Sequence, residues 1–392
     1  MPQSIANNIR KLYIIKFSRW FYLCMPIFIP FFNSNGLNTQ DIFILKAIFS
    51  AVIILFEVPS GYLGDVLGRR KALILGTILT FSAMIVYSQS SSFLMFVLAE
   101  TLLGIGISFV SGADSALMYD TLETLKADKK FVKYEGQSYA IGSFSEAAAG
   151  LVGGYLALFS LRLPFYFQIG IAFIGVIAAW SIIEPPRHKK ESQGNEWNNT
   201  LNAVKFCLST QPQIRLLIFF SAILGLATYT MAWLAQPYFE EVHIPLKYFG
   251  VLWAILNLLV GIGSWYAHRI KDQYAPIPLF TTIIFMMAIG YIGASIMAIP
   301  LGVVFIAILY IARGLFVPII KDFINRYTPS HIRATVLSVR SFLIRIVFIV
   351  VGPILGWIAT YYSLSPALCF AGIFILTTSF GLLSSLYKLK VV

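Results

Sequence analysis

The chain has 392 residues, of which 58% are hydrophobic and 12% charged, with a mean hydropathy of +0.80. A soluble globular chain carries about twice that charged fraction, so composition excludes an ordinary soluble protein and makes the bilayer the main solvent. The net charge of +12 follows membrane topology, as shown below, and therefore does not indicate nucleic-acid binding. Cys24, Cys207 and Cys369 are scattered without metal or redox spacing, which predicts neither a disulfide framework nor a metal site.

Apolar stretches about long enough to cross the hydrocarbon core follow one another along the whole chain. Their continuous hydropathy favours helices over barrel strands, which would be about ten alternating residues. The predicted spans are, in chain order, 12–32, 41–63, 72–90, 93–119, 136–158, 163–183, 214–238, 247–267, 276–298, 300–325, 333–360 and 364–386. The sequence therefore predicts an all-α integral membrane protein with twelve transmembrane helices.

The 29 Lys and Arg residues are distributed unevenly between the two sides of these spans. Nineteen fall in the termini and the loops on the side of the N-terminus, two in the opposite loops and eight within the spans. Because basic residues concentrate in cytoplasmic loops, this distribution predicts a protein of the cytoplasmic membrane with both termini in the cytoplasm. The N-terminus lacks the short apolar core and cleavage site of a signal peptide, so we expect none to be removed.

The longest polar segment, 184–213, separates two sets of six predicted spans. Pro185 and Pro186 end the sixth span, because proline cannot continue a helix. Apolar residues recur at helical spacing later in the segment, which predicts a short amphipathic helix on the inner membrane surface. The predicted domains are therefore a six-helix bundle at 1–183, a cytoplasmic linker at 184–213 and a second six-helix bundle at 214–392.

The two halves of the chain also show weak internal similarity. The segment from Gly150 to Gly154 matches the segment from Gly352 to Gly356, 202 positions later. This match supports a duplicated six-helix unit with pseudo-symmetry, an arrangement that is typical of membrane transport proteins with a central binding site.

Spans three, six, nine and twelve contain no charged residue or histidine. A charge inside the membrane costs at least about 2.5 kcal/mol, so it normally faces a cavity or a partner. We therefore expect the four uncharged spans to be peripheral and the other eight to enclose a polar interior. The deep charges of those eight spans are Lys16, Arg19, Lys46, Glu57, Glu100, Asp114, Glu146, Arg313, Lys321, Asp322, Arg340 and Arg345.

The loop between spans two and three reads Gly61-Tyr-Leu-Gly-Asp65-Val-Leu-Gly68-Arg69-Arg70-Lys71. It resembles the loop signature G-x-L-a-D-r-x-G-r-k of the major facilitator superfamily, in its twelve-helix branch of proton-linked exporters. Val66 departs from that signature, which has a base there. The helix count, the long middle loop and the half-repeat extend the resemblance to the whole chain. It implies two pseudo-symmetric six-helix bundles and secondary active transport by alternating access.

Two further motifs of that family are altered in this sequence. In span four, Glu100 replaces the arginine of the motif R-x-x-q-G-x-g. In span five, the stretch Ala149-Gly150-Leu-Val-Gly153-Gly154 lacks the proline of the motif G-P-x-x-G-G. Gly352 and Pro353 in span eleven keep a similar element in the other half.

In the family, the loop acid and bases form a latch that closes the cytoplasmic side. Carried over, the resemblance implies that Asp65 faces the start of span eleven near Arg333 and that Arg69 pairs with Asp120, or else with Asp114. The alternative is that these charges only set the topology. The predicted latch residues are Gly61, Asp65, Gly68, Arg69, Arg70, Asp120 and Arg333.

Charges near mid-membrane are the candidates for the substrate and proton pathway. Arg313 and Arg345 lie about thirteen residues, or about 20 Å of helix rise, into their spans, and Glu146 lies at similar depth. In one hypothesis, Glu146 is protonated in one transport state and paired with an arginine in another, and the two arginines attract an anionic cargo. The other hypothesis treats all three residues as structural ion pairs. Glu100 lies nearer the outer surface and is a candidate gate or proton acceptor.

The remaining candidates have stronger structural alternatives. Asp114 is a possible cavity acid, but its repeat equivalent Asp322 lies beside Lys321, which favours a structural ion pair. Trp233, Gln236 and Asn257, on spans seven and eight, are candidates for a binding site through stacking and hydrogen bonding. Aromatic residues in membrane spans are more often packing or interface anchors.

The sequence contains no phosphate-binding loop of the G-x-x-x-x-G-K-[ST] type, and it predicts no cofactor. Because several carboxylates lie within the spans, we expect a proton gradient to be the energy source. Expected partners are a small-molecule substrate and the lipid bilayer, for a chain that acts as a monomer. The cargo is either an amphipathic drug or an anionic metabolite or iron-chelating siderophore. A transporter-like sensor and a membrane enzyme are alternatives of another class, although the isolated histidines argue against an enzyme.

Overall fold

The computed structural model describes residues 2–186, 212–328, 333–389 and 391 of the chain. Within these ranges every regular element is helical, which confirms the all-α prediction. The α-helices are α1 (Pro2–Trp20), α2 (Phe28–Ser34), α3 (Thr39–Leu67), α4 (Arg69–Gln89), α5 (Phe93–Val110), α6 (Ala113–Thr124), α7 (Phe131–Leu156), α8 (Leu163–Ser181), α9 (Pro212–Glu241), α10 (Phe249–Gln273), α11 (Pro276–Ile296), α12 (Val303–Tyr327), α13 (Arg333–Tyr361) and α14 (Leu364–Lys388). Short 3-10 turns lie at Met25–Ile27, Asp128–Lys130, Leu246–Tyr248 and Pro300–Gly302.

Eleven helical segments of the described ranges are long and apolar enough to cross a membrane. The predicted span 136–158 falls on α7, which is not among the eleven although it has 26 residues. The reason is its composition, since α7 is rich in Gly and Ser and contains Glu146. The chain is therefore an integral membrane protein, whose described residues form eleven clear spans and a more polar helix, α7, in the place of predicted span five.

Two predicted spans are interrupted in the structure. Span one is broken after Trp20 and resumes at Met25–Ile27, where Pro26 cannot donate a helical hydrogen bond. Span four is broken at Ser111 and Gly112, and Gly112 has a φ of +83° that a residue with a side chain rarely adopts. Because hydropathy averages over such residues, the sequence predicted continuous spans at both places.

Contacts divide the chain into two compact units. Unit 1 comprises Met1–Gly36, Ile48–Glu196 and Leu246–Ala254. Unit 2 comprises Leu37–Ala47, Trp197–Pro245 and Ile255–Val392. The first residues of α3 therefore belong to unit 2 and the first residues of α10 to unit 1. The predicted linker helix falls largely on 187–211, outside the described residues, and the division into 1–183 and 214–392 stays a prediction.

Unit 1 is held together by close helix contacts and by a buried aromatic cluster. A Cβ atom on Gly76 of α4 would lie 2.7 Å from the carbonyl oxygen of Gly106 of α5, so these two helix backbones touch. The aromatic cluster lies where span one is interrupted, and its ring centroids are 4.1–6.4 Å apart. Its members are Phe28, Phe31, Phe32, Tyr87, Phe96 and Phe165.

Unit 2 contains a regular ladder of contacts between α9 and α13. Three residues of α9 at four-residue intervals meet three residues of α13 at the same intervals. A Cβ on Gly225 would lie 2.5 Å from the Ile344 side chain, and the rings of Tyr229 and Phe348 are 4.6 Å apart. The remaining pair is Ser221 with Arg340. Since side chains four residues apart share a helix face, this ladder fixes the rotation of both helices.

Candidate functional site

The loop between α3 and α4 is a single residue, Gly68. Its φ of +116° lies in the region that favours glycine, and it allows α4 to begin at Arg69 directly after α3 ends at Leu67. The backbone N–H groups of Arg69 and Arg70 donate to the two carboxylate oxygens of Glu184, at 3.0 and 2.8 Å. Glu184 therefore caps the positive N-terminus of α4 with a negative charge.

The role of Glu184 was not predicted from the sequence. The sequence feature that could have indicated this role is its position, since Glu184 is an isolated acid that follows an uncharged span and directly precedes Pro185 and Pro186. Its two hydrogen bonds fix the Gly68 turn from the opposite side, because Glu184 follows the end of α8. A Cβ on Gly68 would also lie 3.5 Å from the Glu184 carboxylate.

The side chain of Arg69 extends from the same turn to α6. Its Nη1 atom lies 2.6 Å from Asp120 Oδ2 and donates to the Ala116 carbonyl oxygen at 2.9 Å. Asp120 was the first partner expected for Arg69, and the ion pair is present in the structure. We call Arg69, Arg70, Asp120 and Glu184 the Arg69 cluster. It joins α4, α6 and the end of α8 within unit 1, whereas its role as a latch stays a prediction.

The other predicted latch residues are less fully described. Gly61 lies on α3 in open space, since a Cβ there would meet nothing within 4 Å. The side chains of Asp65 and Arg333 lie outside the described residues, although their backbones belong to α3 and α13. The predicted approach of Asp65 to the start of span eleven therefore stays a prediction.

Asp114 forms ion pairs with two basic residues of α1. Its Oδ2 atom lies 3.3 Å from Arg19 Nη1 and 3.6 Å from Lys16 Nζ, and all three side chains are largely buried. Asp114 lies in the first turn of α6, where a carboxylate also interacts favourably with the helix dipole. This position makes Asp114 part of the packing of α1 on α6 and separates it from the Arg69 cluster.

Glu100 of α5 is completely buried, with 0% of its surface exposed. Its carboxyl group acts electrostatically on the phenols of Tyr22 and Tyr87, and Cys24 acts on both phenols as well. Tyr22 and Cys24 lie at the interruption of span one, while Tyr87 belongs to α4 and to the aromatic cluster. An acid thus replaces the family arginine in a buried, aromatic environment with two hydroxyl groups. Glu146, in contrast, is half-buried on α7.

In unit 2, Trp233 and Gln236 of α9 are buried, whereas Asn257 of α10 is half-buried. The ammonium group of Lys46 lies 4.3 Å from the centre of the Trp233 ring, and Lys46 is only 3% exposed. This contact is a desolvated cation–π interaction. Lys46 was predicted to be a deep charge, whereas its contact with Trp233 was not predicted.

Arg313 and Arg345 are half-buried on α12 and α13. Arg313 lies 5.8 Å from the Tyr310 ring. Among the residues that the structure describes, no acid lies within ion-pair distance of either arginine. The described residues also contain no group of three or more His, Cys, Asp or Glu side chains arranged to hold a metal ion.

The sequence profile of the Major Facilitator Superfamily matches residues 17–349. The chain belongs to this superfamily. Multidrug resistance protein 2 of Bacillus subtilis is 25% identical over 58% of this chain and 58% of its own length. The quinolone resistance protein NorA of Staphylococcus aureus is 24% identical over 43% of each chain. The crystal structure of a mutant nucleoside transporter NupG superimposes with a TM-score of 0.82 at 13% identity, over 97% of this chain and 99% of that one.

Membership of the major facilitator superfamily makes the chain a transporter and not an enzyme, so the membrane-enzyme alternative is wrong. The matches span 58% and 43% of the lengths of these two relatives. The structural similarity, at 13% identity, applies to the fold.

Proposed function

We propose that this major facilitator superfamily protein exports amphipathic small molecules in exchange for protons. Two relatives carry the names of drug-resistance proteins, which supports an amphipathic cargo. The uneven distribution of basic residues, nineteen against two, supports a cytoplasmic-membrane location with both termini in the cytoplasm. The chain acts alone as a monomer and draws its energy from the proton gradient, without a cofactor.

The observation that carries proton coupling is the complete burial of Glu100 beside two phenols. A carboxyl group can bind and release a proton, and the burial of Glu100 places that proton within the membrane-spanning part of unit 1. Tyr22, Tyr87 and Cys24 are titratable groups that act at the same place. Glu146, the first candidate from the sequence, is a second proton-binding group on the same unit.

In this mechanism Glu100 binds a proton in one state of the alternating-access cycle and releases it in the other. The hydroxyl group of Tyr87, which interacts with Glu100, can donate a hydrogen bond to the ionised carboxylate and accept one from the protonated acid. The Arg69 cluster, together with Asp65 and Arg333, is the latch that holds one of the two states. Trp233, Gln236 and Asn257 line the cargo site in unit 2.

The test uses purified protein in liposomes with an imposed pH gradient and ethidium as a cationic amphipathic cargo. Glu100→Gln should abolish uptake driven by the gradient but preserve exchange of labelled for unlabelled ethidium, because exchange moves no net proton. Glu123→Gln, which removes an exposed acid of the same unit, is the matched control and should behave like the wild type.

Glu146→Gln in the same assay separates the two carboxyl groups. Loss of coupling in Glu146→Gln alone would assign the proton to Glu146 and reject the role of Glu100. Full coupling in both variants would reject proton transport through this unit.

An anionic cargo, such as a carboxylate-bearing metabolite or a siderophore, is the second candidate. The specific observation in its favour is that neither Arg313 nor Arg345 pairs with an acid among the described residues. Uptake of citrate in place of ethidium, under the same gradient, distinguishes the two cargoes. A transporter-like sensor would move neither compound.

A further inference from the structure

Arg340 of α13 is the most deeply buried arginine that the structure reports, with 8% of its surface exposed. Its Nε atom donates to Ser221 Oγ of α9, within the ladder that also pairs Gly225 with Ile344 and Tyr229 with Phe348. The ladder holds the guanidinium group in one orientation. Because Ser221 uses Nε, the two Nη atoms remain as a planar fork of donors, the geometry that matches a carboxylate or a phosphate.

Lys321 of α12 lies close enough to Arg340 for the two positive charges to act on each other. The sequence suggested that Lys321 pairs with its neighbour Asp322. In the structure Asp322 instead meets Lys271 at 2.8 Å and Arg326 at 2.9 Å. Adjacent residues of a helix point about 100° apart, so Asp322 faces α10 while Lys321 faces elsewhere.

In the part of the chain that the structure describes, the acids of unit 2 do not pair with either of these two cations. Its acidic residues are Asp41, Glu240, Glu241, Asp272 and Asp322. Among the described residues, none of them forms an ion pair with Arg340 or Lys321. Burial of Arg340 without a counter-charge is costly, and the neighbouring Lys321, although exposed, adds the repulsion between two positive charges. A bound anion removes both penalties.

We propose that Arg340 and Lys321 form an anion-binding subsite in unit 2 that takes a carboxylate or phosphate group of the cargo, with Ser221 as the residue that positions the Arg340 fork. This subsite rests on the second cargo candidate above, an anionic molecule, since it assigns a negatively charged group to the transported molecule. It is separate from Arg313, which lies two helical turns before Lys321 on α12 and contacts Tyr310. An anionic amphipath satisfies both this subsite and the drug-like cargo of the relatives.

The test measures anion binding to the purified full-length protein in an uncharged detergent. Sodium phosphate and sodium citrate are titrated at constant ionic strength against sodium chloride, and the unfolding temperature is followed by tryptophan fluorescence. The wild type should show a saturable rise in Tm with phosphate or citrate beyond that with chloride. Lys321→Gln should weaken the apparent affinity at least about tenfold, the loss expected for one charge-assisted hydrogen bond.

Arg340→Gln should abolish the saturable response, and Ser221→Ala should weaken it while Arg340 is still present. Arg326→Gln is the matched control, because it removes a basic residue of the same helix that is already paired with Asp322. If Arg340→Gln does not fold, the exposed Lys321→Gln variant decides the question alone. An equal response in the Lys321→Gln and Arg326→Gln variants, or a wild type that responds to phosphate and citrate only as it does to chloride, overturns the proposal.

A second experiment distinguishes an anionic group of the cargo from the headgroup of an anionic lipid as the occupant of the subsite. The same variants are compared in phosphatidylcholine vesicles with and without phosphatidylglycerol. A Lys321-dependent shift with phosphatidylglycerol, but with neither phosphate nor citrate, would make this a lipid site and overturn the proposal. Because the readout is binding, its failure is distinct from a loss of proton coupling in the Glu100→Gln variant, which is measured only in transport.

Discussion

Replacing Glu184 by glutamine tests how unit 1 fixes the turn between α3 and α4. The carboxylate accepts two backbone hydrogen bonds at the N-terminus of α4, from Arg69 at 3.0 Å and from Arg70 at 2.8 Å. Glutamine has a single acceptor oxygen, and its NH₂ group would face an N–H donor. The Glu184→Gln variant therefore loses one of the two hydrogen bonds and the favourable charge at the helix terminus.

The expected cost follows from these two losses. A hydrogen bond to a charged group contributes about 1.5–3 kcal/mol, and a negative charge at a helix N-terminus about 0.3–1 kcal/mol. Since Glu184 is half-buried, solvent screens part of this contribution, and we expect a loss of about 2 kcal/mol in the free energy of unfolding. For a unit of this size that loss corresponds to a fall in Tm of about 4–8 °C.

The assay is thermal unfolding of the purified protein in detergent at a fixed scan rate, followed by tryptophan fluorescence. Glu123→Gln serves as the control, because it removes the same charge from an exposed position of unit 1. A Tm for Glu184→Gln within about 1 °C of that control would refute the capping role, since a stabilisation of 2 kcal/mol cannot be lost without a larger shift.

Three further substitutions address other contacts. Asp120→Asn should lower the free energy of unfolding by about 1 kcal/mol, because the side chains of its 2.6 Å ion pair with Arg69 are only 17–25% exposed. A double-mutant cycle with Arg69→Gln should give a similar coupling energy, and a coupling energy near zero would contradict this expectation. Gly153→Ala should prevent stable folding, because the new Cβ would overlap a backbone carbonyl of the interrupted span one. Gly170→Ala is the control, since its Cβ would lie in open space, and it should leave Tm unchanged or slightly raised. Equal Tm values for the two variants would be evidence against the overlap. Trp233→Leu should lower the free energy of unfolding by about 2 kcal/mol more than Trp233→Phe, because only an aromatic ring retains the interaction with the Lys46 ammonium group, 4.3 Å from the ring centre. Equal losses in the two variants would exclude that interaction.

Hydropathy predicted the spans because a single solvent, the hydrocarbon, acts on nearly every residue of this chain. Eleven of the predicted spans correspond to helical segments that are apolar enough to cross a membrane. The interruptions at Pro26 and Gly112 were not predicted, since each depends on one residue whose effect is lost in a window average. Span five, which corresponds to α7, was predicted in place but is more polar than the other spans.

Charge contacts were predictable where a family motif fixes the positions of both partners. Arg69 meets Asp120 as the motif implied. Sequence adjacency was a poor guide, because Asp322 forms its ion pairs with Lys271 and Arg326 and not with Lys321. The capping role of Glu184 could not be predicted from the sequence, because its partners are backbone N–H groups that lie more than a hundred residues away along the chain.

The repeated glycine segments of spans five and eleven make equivalent contacts within their own units. In unit 1, a Cβ on Gly154 would lie 2.8 Å from the Cα of Gly250, in the segment that α10 contributes to that unit. In unit 2, a Cβ on Gly356 would lie 3.0 Å from the Cα of Gln40 and 2.8 Å from the Phe43 side chain, in the segment that α3 contributes. Span eleven has the proline of the family motif and span five lacks it, yet both helices approach their partner segment equally closely. The contact depends on the absence of a side chain at the glycine, and it forms both with the proline, in span eleven, and without it, in span five.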